Sequence, residues 1–244
     1  MNLIKIAHIG YKPIPKVACT SIKAALYKLH KGTDYKLHGH NDKPLHTYWN
    51  KRLQPLDHNN TNFVVIRDPI KRFLSGYSNR VGHHKQLGSH LRPECAQHVP
   101  IKNPSLGQFI EFFEDYYKVR AISHHFQPTH EILEGQLGSF QKVFKIEQLD
   151  SLATFLSTEL KTTITFRRLQ TGGRKQCIQE LNSKQLDFLI DFYKDDYNLL
   201  SDYYTIDDIW HEWKKGVPQT HLTSQHTKFQ KFIIKICKIK PELG

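Results

Sequence analysis

The sequence predicts an α/β fold with a central, mainly parallel β-sheet flanked by helices. Three apolar runs, at residues 3–11, 63–66 and 143–146, have the length and composition of buried strands. A helical pattern of apolar residues follows each of these runs. Strands that alternate with helices are typical of a parallel sheet that is covered on both faces.

Length and charge limit the class of protein. The chain has 244 residues, enough to bury a full core, and we expect one domain over residues 1–244. Its 39% hydrophobic and 24% charged residues are typical of a folded globular protein. The net charge of +12 predicts an acidic partner, but does not distinguish among nucleic acid, a membrane surface, an anionic glycan and a phosphorylated cofactor.

The first two strands each lead into a predicted helix. One helix covers residues 21–31, with Thr20 or Ser21 as its N-cap and Gly32 just past its end. The other begins at Asp68, an N-cap residue, followed by proline at the first helical position. In this second helix Lys71 and Arg72 are expected to be surface charges.

The rest of the chain has weaker boundaries. Residues 82–107 are rich in histidine, glycine and proline, which predicts a long surface loop or lid. A helix is predicted to begin at the Pro104-Ser105 start signal, and two later helices are predicted to have Asp150-Ser151 and Ser183 as their caps. The tail, residues 217–244, contains a basic amphipathic stretch at 228–240 that is either a helix docked on the core or a membrane-surface helix.

Cysteine spacing and the N-terminus predict the compartment. The cysteines are far apart without a C-x-x-C pair, so they indicate neither a zinc site nor a disulfide framework. The N-terminal apolar run is too short for a signal peptide, and no segment approaches the roughly 20 apolar residues of a membrane span. For a full-length product we expect a reducing, cytoplasmic location and no metal.

Residues 14–23 form the first candidate anion site. They read as a strand end, a turn and a helix start, with Lys16 before the turn and hydroxyls at Thr20 and Ser21. Helix N-termini expose N–H groups that bind phosphate, and Lys16 would reach a leaving group beyond it. This is not the G-x-x-x-x-G-K-[ST] loop. The alternative is that Thr20 and Ser21 only cap the helix and Lys16 is a solvated surface residue.

The second candidate site follows the next strand. Arg67 lies at the carboxyl end of that strand, where open α/β sheets bind ligands, and Ser75 follows two helical turns later. A guanidinium pairs bidentately with phosphate oxygens, so Arg67 and Ser75 suit a terminal phosphate monoester. Two such sites predict one ligand with two separated anionic groups.

The chain resembles the carbohydrate sulfotransferases, which use 3′-phosphoadenosine-5′-phosphosulfate (PAPS). The similarity rests on P-K-V-A-C-T-S at residues 15–21 and R-D-P-I-K-R-F-L-S-G-Y at residues 67–77, and continues weakly to about residue 204. It implies a P-loop-like nucleotide-binding sulfotransferase fold, PAPS as donor and adenosine 3′,5′-bisphosphate (PAP) as product. Arg67 and Ser75 would bind the 3′-phosphate. The residues implied for the 5′-phosphosulfate are Lys16, Val17, Ala18, Cys19, Thr20 and Ser21.

The resemblance also implies the base. His38-Gly39-His40 lies between the two motifs and is similar to an H-G-H of heparan sulfate 2-O-sulfotransferases. His40 would take the proton of the acceptor hydroxyl, with His38 in support. His125 is the other candidate, and surface roles for these histidines are the alternative.

A glycine-rich segment before the Ser183 helix is a further candidate. Arg174 and Lys175 follow Gly172-Gly173, and the family often closes such a basic loop over the nucleotide. These two cations are therefore expected to bind the cofactor. An ordinary glycine turn with surface charges is the alternative.

The expected activity is transfer of a sulfuryl group from PAPS to a hydroxyl of a carbohydrate or glycoconjugate. The chain also resembles chondroitin- and dermatan-type sulfotransferases, as a microbial member. One alternative is a nucleotide kinase, which the absent G-K-[ST] and magnesium-binding aspartate disfavour. Another is a non-enzymatic binder of nucleic acid or anionic surfaces, for which no recognition motif is present. The expected partner is the carbohydrate or glycoconjugate acceptor, with no nucleic acid. A membrane surface is a further partner only if the tail is a membrane-surface helix.

Overall fold

The computed structural model describes residues 1–36, 43–169 and 172–216. Helices flank one five-stranded mixed sheet, which makes the fold α/β as predicted. The strands are β1 (Asn2–Ile6), β2 (Ile9–Lys12), β3 (Leu53–Pro55), β4 (Thr61–Ile66) and β5 (Lys142–Lys145). Their order in the sheet is β3-β1-β2-β4-β5.

The first predicted strand is a hairpin of β1 and β2, so the prediction of one strand over residues 3–11 is wrong. Ala7 adopts a left-handed conformation with φ 49°, and the chain reverses so that Ile6 pairs with Ile9. No glycine, proline, asparagine or aspartate marks this turn, so the sequence gives no turn signal. Since β1 is antiparallel to β2 and to β3, the sheet is mixed rather than mainly parallel.

The parallel half of the sheet carries both motifs. β2 pairs with β4, and β4 with β5, in parallel, with Tyr11 opposite Phe63 and Val65 opposite Phe144. Residues 63–66 of β4 are fully buried, as expected for a strand covered on both faces. Because β2 and β4 run the same way, the loops that follow them leave the same edge of the sheet.

Most of the remaining described chain is helical. The α-helices are α1 (Cys19–Lys31), α2 (Lys43–Asn50), α3 (Pro69–Gly76), α4 (Leu106–Glu111), α5 (Phe113–Tyr117), α6 (Arg120–Phe126), α7 (Thr129–Ile132), α8 (Leu149–Glu159), α9 (Ser183–Phe192), α10 (Lys194–Leu199) and α11 (Ile206–Lys215). A π-helix, Tyr77–His83, continues α3. Short 3-10 helices are Pro93–His98, Leu137–Ser139, Ile146–Gln148 and Ile178–Glu180.

Several predicted helix boundaries are confirmed. Asp68 caps α3, accepting a hydrogen bond from the Lys71 N–H at 2.9 Å, and proline follows at the first position. Gly32 ends α1 in a left-handed conformation with φ 70°, and its N–H donates to the Lys28 carbonyl. Ser105 begins α4 with a capping box.

Two other predicted caps are wrong. Gln148, not Asp150 or Ser151, precedes α8, and it makes no side-chain cap. Asn182, not Ser183, caps α9 and accepts a hydrogen bond from the N–H three residues later. In both helices the apolar pattern predicts the helix, but the residue at the cap position lies one to three residues before the predicted cap.

The predicted long loop, residues 82–107, is mostly irregular but anchored. Leu87 is fully buried, and the Asn103 N–H donates to its carbonyl at 2.8 Å. The Tyr77 hydroxyl donates to the Pro104 carbonyl at 2.9 Å. These contacts hold the segment against the helical part of the core, and its role as a lid stays a prediction.

The buried side chains form two clusters. One surrounds the sheet and includes Phe63, Trp49 of α2 and Leu156 of α8. The other lies among α3, α4, α6 and α9 and includes Phe73 and Phe109. The motif loops after β2 and β4 lie where the two clusters meet, because α1 belongs to the first and α3 to the second.

The described residues contain no helix that is both long and apolar enough to cross a bilayer. The basic stretch at 228–240 and the rest of the tail lie outside the described residues. Docking of this stretch on the core and its contact with a membrane surface therefore stay predictions.

The Asp68 carboxyl is buried, with 3% of its surface exposed. Its other oxygen accepts a hydrogen bond from the Tyr197 hydroxyl at 3.1 Å. Burial raises its pKa from 3.8 to about 6 despite these hydrogen bonds. Folding therefore disfavours the ionised form, so this group's contribution to stability is full below about pH 4 and is lost as the pH rises through about 6.

Replacing Asp68 by asparagine tests this linkage, because Asp68→Asn keeps the capping oxygen and removes the ionisation. Relative to wild type, the variant should gain up to about 2 to 3 kcal/mol in unfolding free energy between pH 4 and pH 7. Urea unfolding at several pH values measures the difference. Asp202→Asn, at an exposed position, is the matched control. If the difference in unfolding free energy between Asp68→Asn and wild type did not change with pH, this would contradict the account.

Candidate functional site

The two motif loops meet at one edge of the sheet. Residues 13–18 connect β2 to α1, and Arg67 with Asp68 connects β4 to α3. Arg67 Nη1 donates a hydrogen bond to the main-chain oxygen of Lys16 at 3.3 Å. The parallel pairing of β2 with β4 therefore brings together motifs that are about fifty residues apart in sequence.

The first loop has an unusual backbone. Lys16 with φ 69° and Ala18 with φ 59° are both left-handed, a conformation that costs energy for residues other than glycine. Ala18 is the N-cap of α1 and makes no side-chain cap, so the prediction that Thr20 or Ser21 caps the helix is wrong. Both hydroxyl residues lie inside the first turn instead. Thr20 Oγ1 is 3.5 Å from His46 Nε2, and Ser21 Oγ accepts a backbone N–H at 3.3 Å.

The remaining loop residues differ in exposure. Val17 is fully buried and its side chain packs with the sheet cluster, whereas Ala18 and Cys19 line the adjoining cavity. The first turn of a helix has N–H groups that no residue of the same helix accepts, so the start of α1 can bind an anion. Val17 can take part in such binding only through its main chain.

Arg67 and Ser75 of the second motif both line the same cavity. Burial lowers the pKa of Arg67, and the nearby Glu147 and Asp68 carboxyls oppose this effect. An arginine side chain nevertheless stays protonated in proteins. Arg67 is thus a partly buried cation at the carboxyl end of β4, with its guanidinium against the first loop.

Arg72 is 1% exposed, so the prediction that it is a surface charge is wrong. Its Nη2 donates to the Gln127 carbonyl at 2.6 Å and its Nη1 lies 3.5 Å from the His125 carbonyl. Asp196, which is fully buried, is 3.8 Å away. Arg72 therefore fixes the main chain at the end of α6, where a candidate base lies.

Asn79, two residues beyond the second motif, makes a second contact with the first loop that no sequence signal predicts. Lys16 Nζ donates to Asn79 Oδ1 at 2.7 Å. Asn79 lies in the π-helix that follows α3, a rare element that is frequent at functional sites. Neither the helical pattern nor the motif predicts this contact, because it depends on where the π-helix places residue 79 relative to the first loop.

A cavity of about 1330 Å³ opens beside these residues. Its lining in the described residues carries many cations but only two carboxylates, Asp150 and Glu212, and Glu212 pairs with Lys71 at 2.7 Å. Such a lining attracts a multiply charged anion. Within the described residues no cluster of side chains could hold a metal ion. The cationic lining residues outside the motifs are Lys12, Lys23, Lys43, Arg80, Arg167, Arg168 and Lys175.

His125 lies in the cavity wall near the end of α6. Burial, together with the charge of Arg80 and of neighbouring cations, lowers its pKa well below 6.5. His124 also lines the cavity, and burial lowers its pKa in the same direction. Both imidazoles are therefore neutral at neutral pH, the form that can accept a proton.

Three further histidines are relevant to the site, of which one lines the cavity and two lie outside the described residues. His46 of α2 lines the cavity, with Nδ1 2.8 Å from Lys23 Nζ, and no motif in the sequence predicts this position. Because an ammonium only donates, His46 Nδ1 accepts this bond and a neutral His46 carries its proton on Nε2. His38 and His40 lie outside the described residues.

The two cations of the glycine-rich segment separate. Lys175 lines the cavity, whereas Arg174 does not and pairs with Glu180 at 3.1 Å, with 76% of its side chain exposed. Gly173, with φ 97°, passes so close to the Ser78 carbonyl that a Cβ would lie 2.4 Å from that oxygen. A glycine is therefore required here for the segment to pack on the π-helix and turn Lys175 towards the cavity.

Buried polar atoms of the cavity wall lack partners among the described residues. Three such atoms are Arg67 Nε, Asn79 Nδ2 and His125 Nδ1. Buried polar groups are nearly always hydrogen-bonded, so unsatisfied atoms in one wall indicate a site that a ligand completes. Two of the three are N–H donors, which fits a ligand rich in phosphate oxygens.

The His125 pKa can be tested directly by NMR titration of its ring proton. The midpoint should lie well below pH 6.5, and Arg80→Met should raise it because removal of a nearby cation favours the protonated form. Arg92→Met, at an exposed position outside the cavity, should leave it unchanged. A wild-type midpoint at or above pH 6.5 would show that the imidazole is not buried as described.

Comparison with known proteins agrees with the geometry. A model of the sulfotransferase family matches residues 5–204, a range that contains both motif loops and nearly all of the cavity wall. Searches of curated proteins and of solved structures returned no match. A family match over most of the sequence, together with the two motifs at one cavity, shows that the chain belongs to the sulfotransferase family.

Proposed function

We propose that this protein transfers a sulfuryl group from PAPS to a hydroxyl of a carbohydrate or glycoconjugate acceptor. The convergence of both motif loops on one cationic cavity carries this proposal, with Arg67 Nη1 3.3 Å from the Lys16 carbonyl oxygen. Membership of the family supports sulfuryl transfer in general. The spacing of the two motifs supports a donor with two anionic ends, as PAPS has.

The first loop would hold the reacting end of the donor. PAPS, when bound, would supply the sulfuryl group, and its 5′-phosphate would be the leaving group. The first turn of α1 and the hydroxyls of Thr20 and Ser21 would bind the 5′-phosphate. Lys16 would place its ammonium at the leaving oxygen and stabilise the charge that develops there. As in phosphoryl transfer, the protein contributes positioning and electrostatic stabilisation.

The second motif would recognise the 3′-phosphate. Arg67 offers a charged fork and Ser75 a hydroxyl, and both line the cavity. Lys175 would add a cation from the glycine-rich segment. We do not assign this role to Arg174, because it faces Glu180 outside the cavity wall. Nucleotides without a 3′-phosphate would bind more weakly, because they cannot pair with Arg67.

The base would be a histidine. His40, with His38 in support, is proposed from the resemblance to heparan sulfate 2-O-sulfotransferases. His125 is the second candidate, since it lines the cavity and its lowered pKa keeps it neutral and able to accept a proton. The acceptor hydroxyl would have to reach the sulfuryl group in line with the leaving oxygen and within hydrogen-bond distance of the base.

Transfer of labelled sulfate from PAPS to a panel of oligosaccharides tests this function. Lys16→Ala should lower kcat by about 100- to 1,000-fold, because it removes a charge that acts mainly on the transition state. Lys102→Ala, at an exposed position outside the cavity, should leave kcat unchanged. The proposal is wrong if the wild-type protein neither binds PAP nor transfers sulfate, and Lys16 loses its role if Lys16→Ala turns over like wild type.

A further inference from the structure

Lys16 is held at both ends by residues of the segment that follows β4. Its carbonyl accepts from Arg67 and its ammonium donates to Asn79 Oδ1 at 2.7 Å. A lysine side chain has many rotamers, and contacts of this kind select one of them. The left-handed backbone at Lys16 further limits the directions in which the side chain leaves the loop.

Asn79 is a rigid partner. It is 3% exposed, and its carbonyl accepts the His84 N–H at 2.9 Å in the π-helix. The neighbouring Ser78 hydroxyl accepts the Gln176 N–H at 3.3 Å, which ties the π-helix to the glycine-rich segment. An ammonium that donates to Asn79 is therefore fixed relative to the cavity wall.

The chemistry of an amide suits this position. An amide oxygen accepts a hydrogen bond without neutralising the ammonium, so the positive charge of Lys16 stays available to an anion in the cavity. A carboxylate in the same place would pair with Lys16 and repel that anion.

We infer that Asn79 is a positioning residue for sulfuryl transfer, which holds the Lys16 ammonium where the leaving oxygen develops its charge. The inference rests on the proposed function. A preset ammonium needs no reorganisation during the reaction, and such preorganisation lowers the barrier more than it strengthens ground-state binding. Loss of Asn79 therefore lowers kcat with little change in cofactor affinity.

A double-mutant cycle tests whether Asn79 acts through Lys16. Asn79→Ala should lower kcat about 10- to 100-fold while the KM for PAPS and the Kd for PAP change less than about threefold. In the Lys16→Ala background the same change should cost less than about twofold. Asn198→Ala, exposed on α10, is the matched control. If Asn79→Ala lowered kcat equally in the wild-type and Lys16→Ala backgrounds, or left kcat unchanged in the wild-type background, this would overturn the inference.

A second variant covers the case in which Asn79→Ala does not fold. Asn79→Asp keeps the shape of the side chain, pairs with the ammonium and adds a negative charge. It should lower kcat and also weaken PAP binding about tenfold, more strongly at low ionic strength. Wild-type transfer and wild-type PAP affinity in this variant would overturn the inference.

The two proposals fail in different ways. If wild-type protein transfers sulfate with a Lys16-dependent kcat while Asn79 variants are unaffected, only the positioning role is wrong. If wild-type protein neither binds PAP nor transfers sulfate, the proposed function is wrong and the role of Asn79 falls with it.

Discussion

The hydrogen bond from Arg67 to the Lys16 carbonyl is the contact on which the site depends. It exists because β2 and β4 are parallel neighbours, so that the loops after them leave the same edge of the sheet. The same pairing lets Lys16 reach Asn79. These contacts offset the cost of two left-handed residues in the first loop.

Neutral acceptors hold several cations of the cavity wall. Lys16 donates to an amide oxygen, Lys23 to an imidazole and Arg67 to a main-chain carbonyl. Such acceptors fix a cation without cancelling its charge. Positive charges that are held close together repel one another, and a bound anion relieves this repulsion. The wall is therefore organised to bind a multiply charged anion, which agrees with the chain's net charge of +12.

A second set of buried polar contacts supports the histidine end of the cavity. Arg72 donates to the Gln127 carbonyl and lies near Asp196, while Asp196 accepts the Thr129 and His130 N–H groups at 2.7 Å. The Tyr193 hydroxyl donates to the Phe126 carbonyl at 2.7 Å. These bonds fix the chain just after His125, so the position of that imidazole depends on Arg72, Asp196 and Tyr193, which do not line the cavity.

Local signals in the sequence predict some of the strands and helix ends. The apolar run of β4, the Asp68 cap and the Gly32 terminus are determined by neighbours in the chain, and all three were predicted. The β1–β2 turn was missed because alanine at position 7 carries no turn signal. The buried Arg72 was missed because its carbonyl partners lie more than fifty residues away.

The residues of the site also divide into those that local sequence predicts and those that it does not. Both motif loops were predicted because each combines a strand end, a helix start and polar side chains within a few residues. Asn79 and His46 were missed because their roles arise only when distant elements pack together. The π-helix was missed as well, since its apolar pattern continues that of α3. Long-range packing, rather than local propensity, decides which polar side chains face the cavity.

Calorimetric titration with PAP and with adenosine 5′-monophosphate, without magnesium, tests the central claim that one nucleotide bridges the two motifs. Wild-type protein should bind PAP about 100-fold more tightly than adenosine 5′-monophosphate, since a partly buried guanidinium pairs strongly with the 3′-phosphate. Arg67→Met should lose most of this preference, whereas Arg92→Met, exposed and outside the cavity, should keep it. Equal affinity of wild-type protein for the two nucleotides, or an undiminished preference in Arg67→Met, would contradict the account.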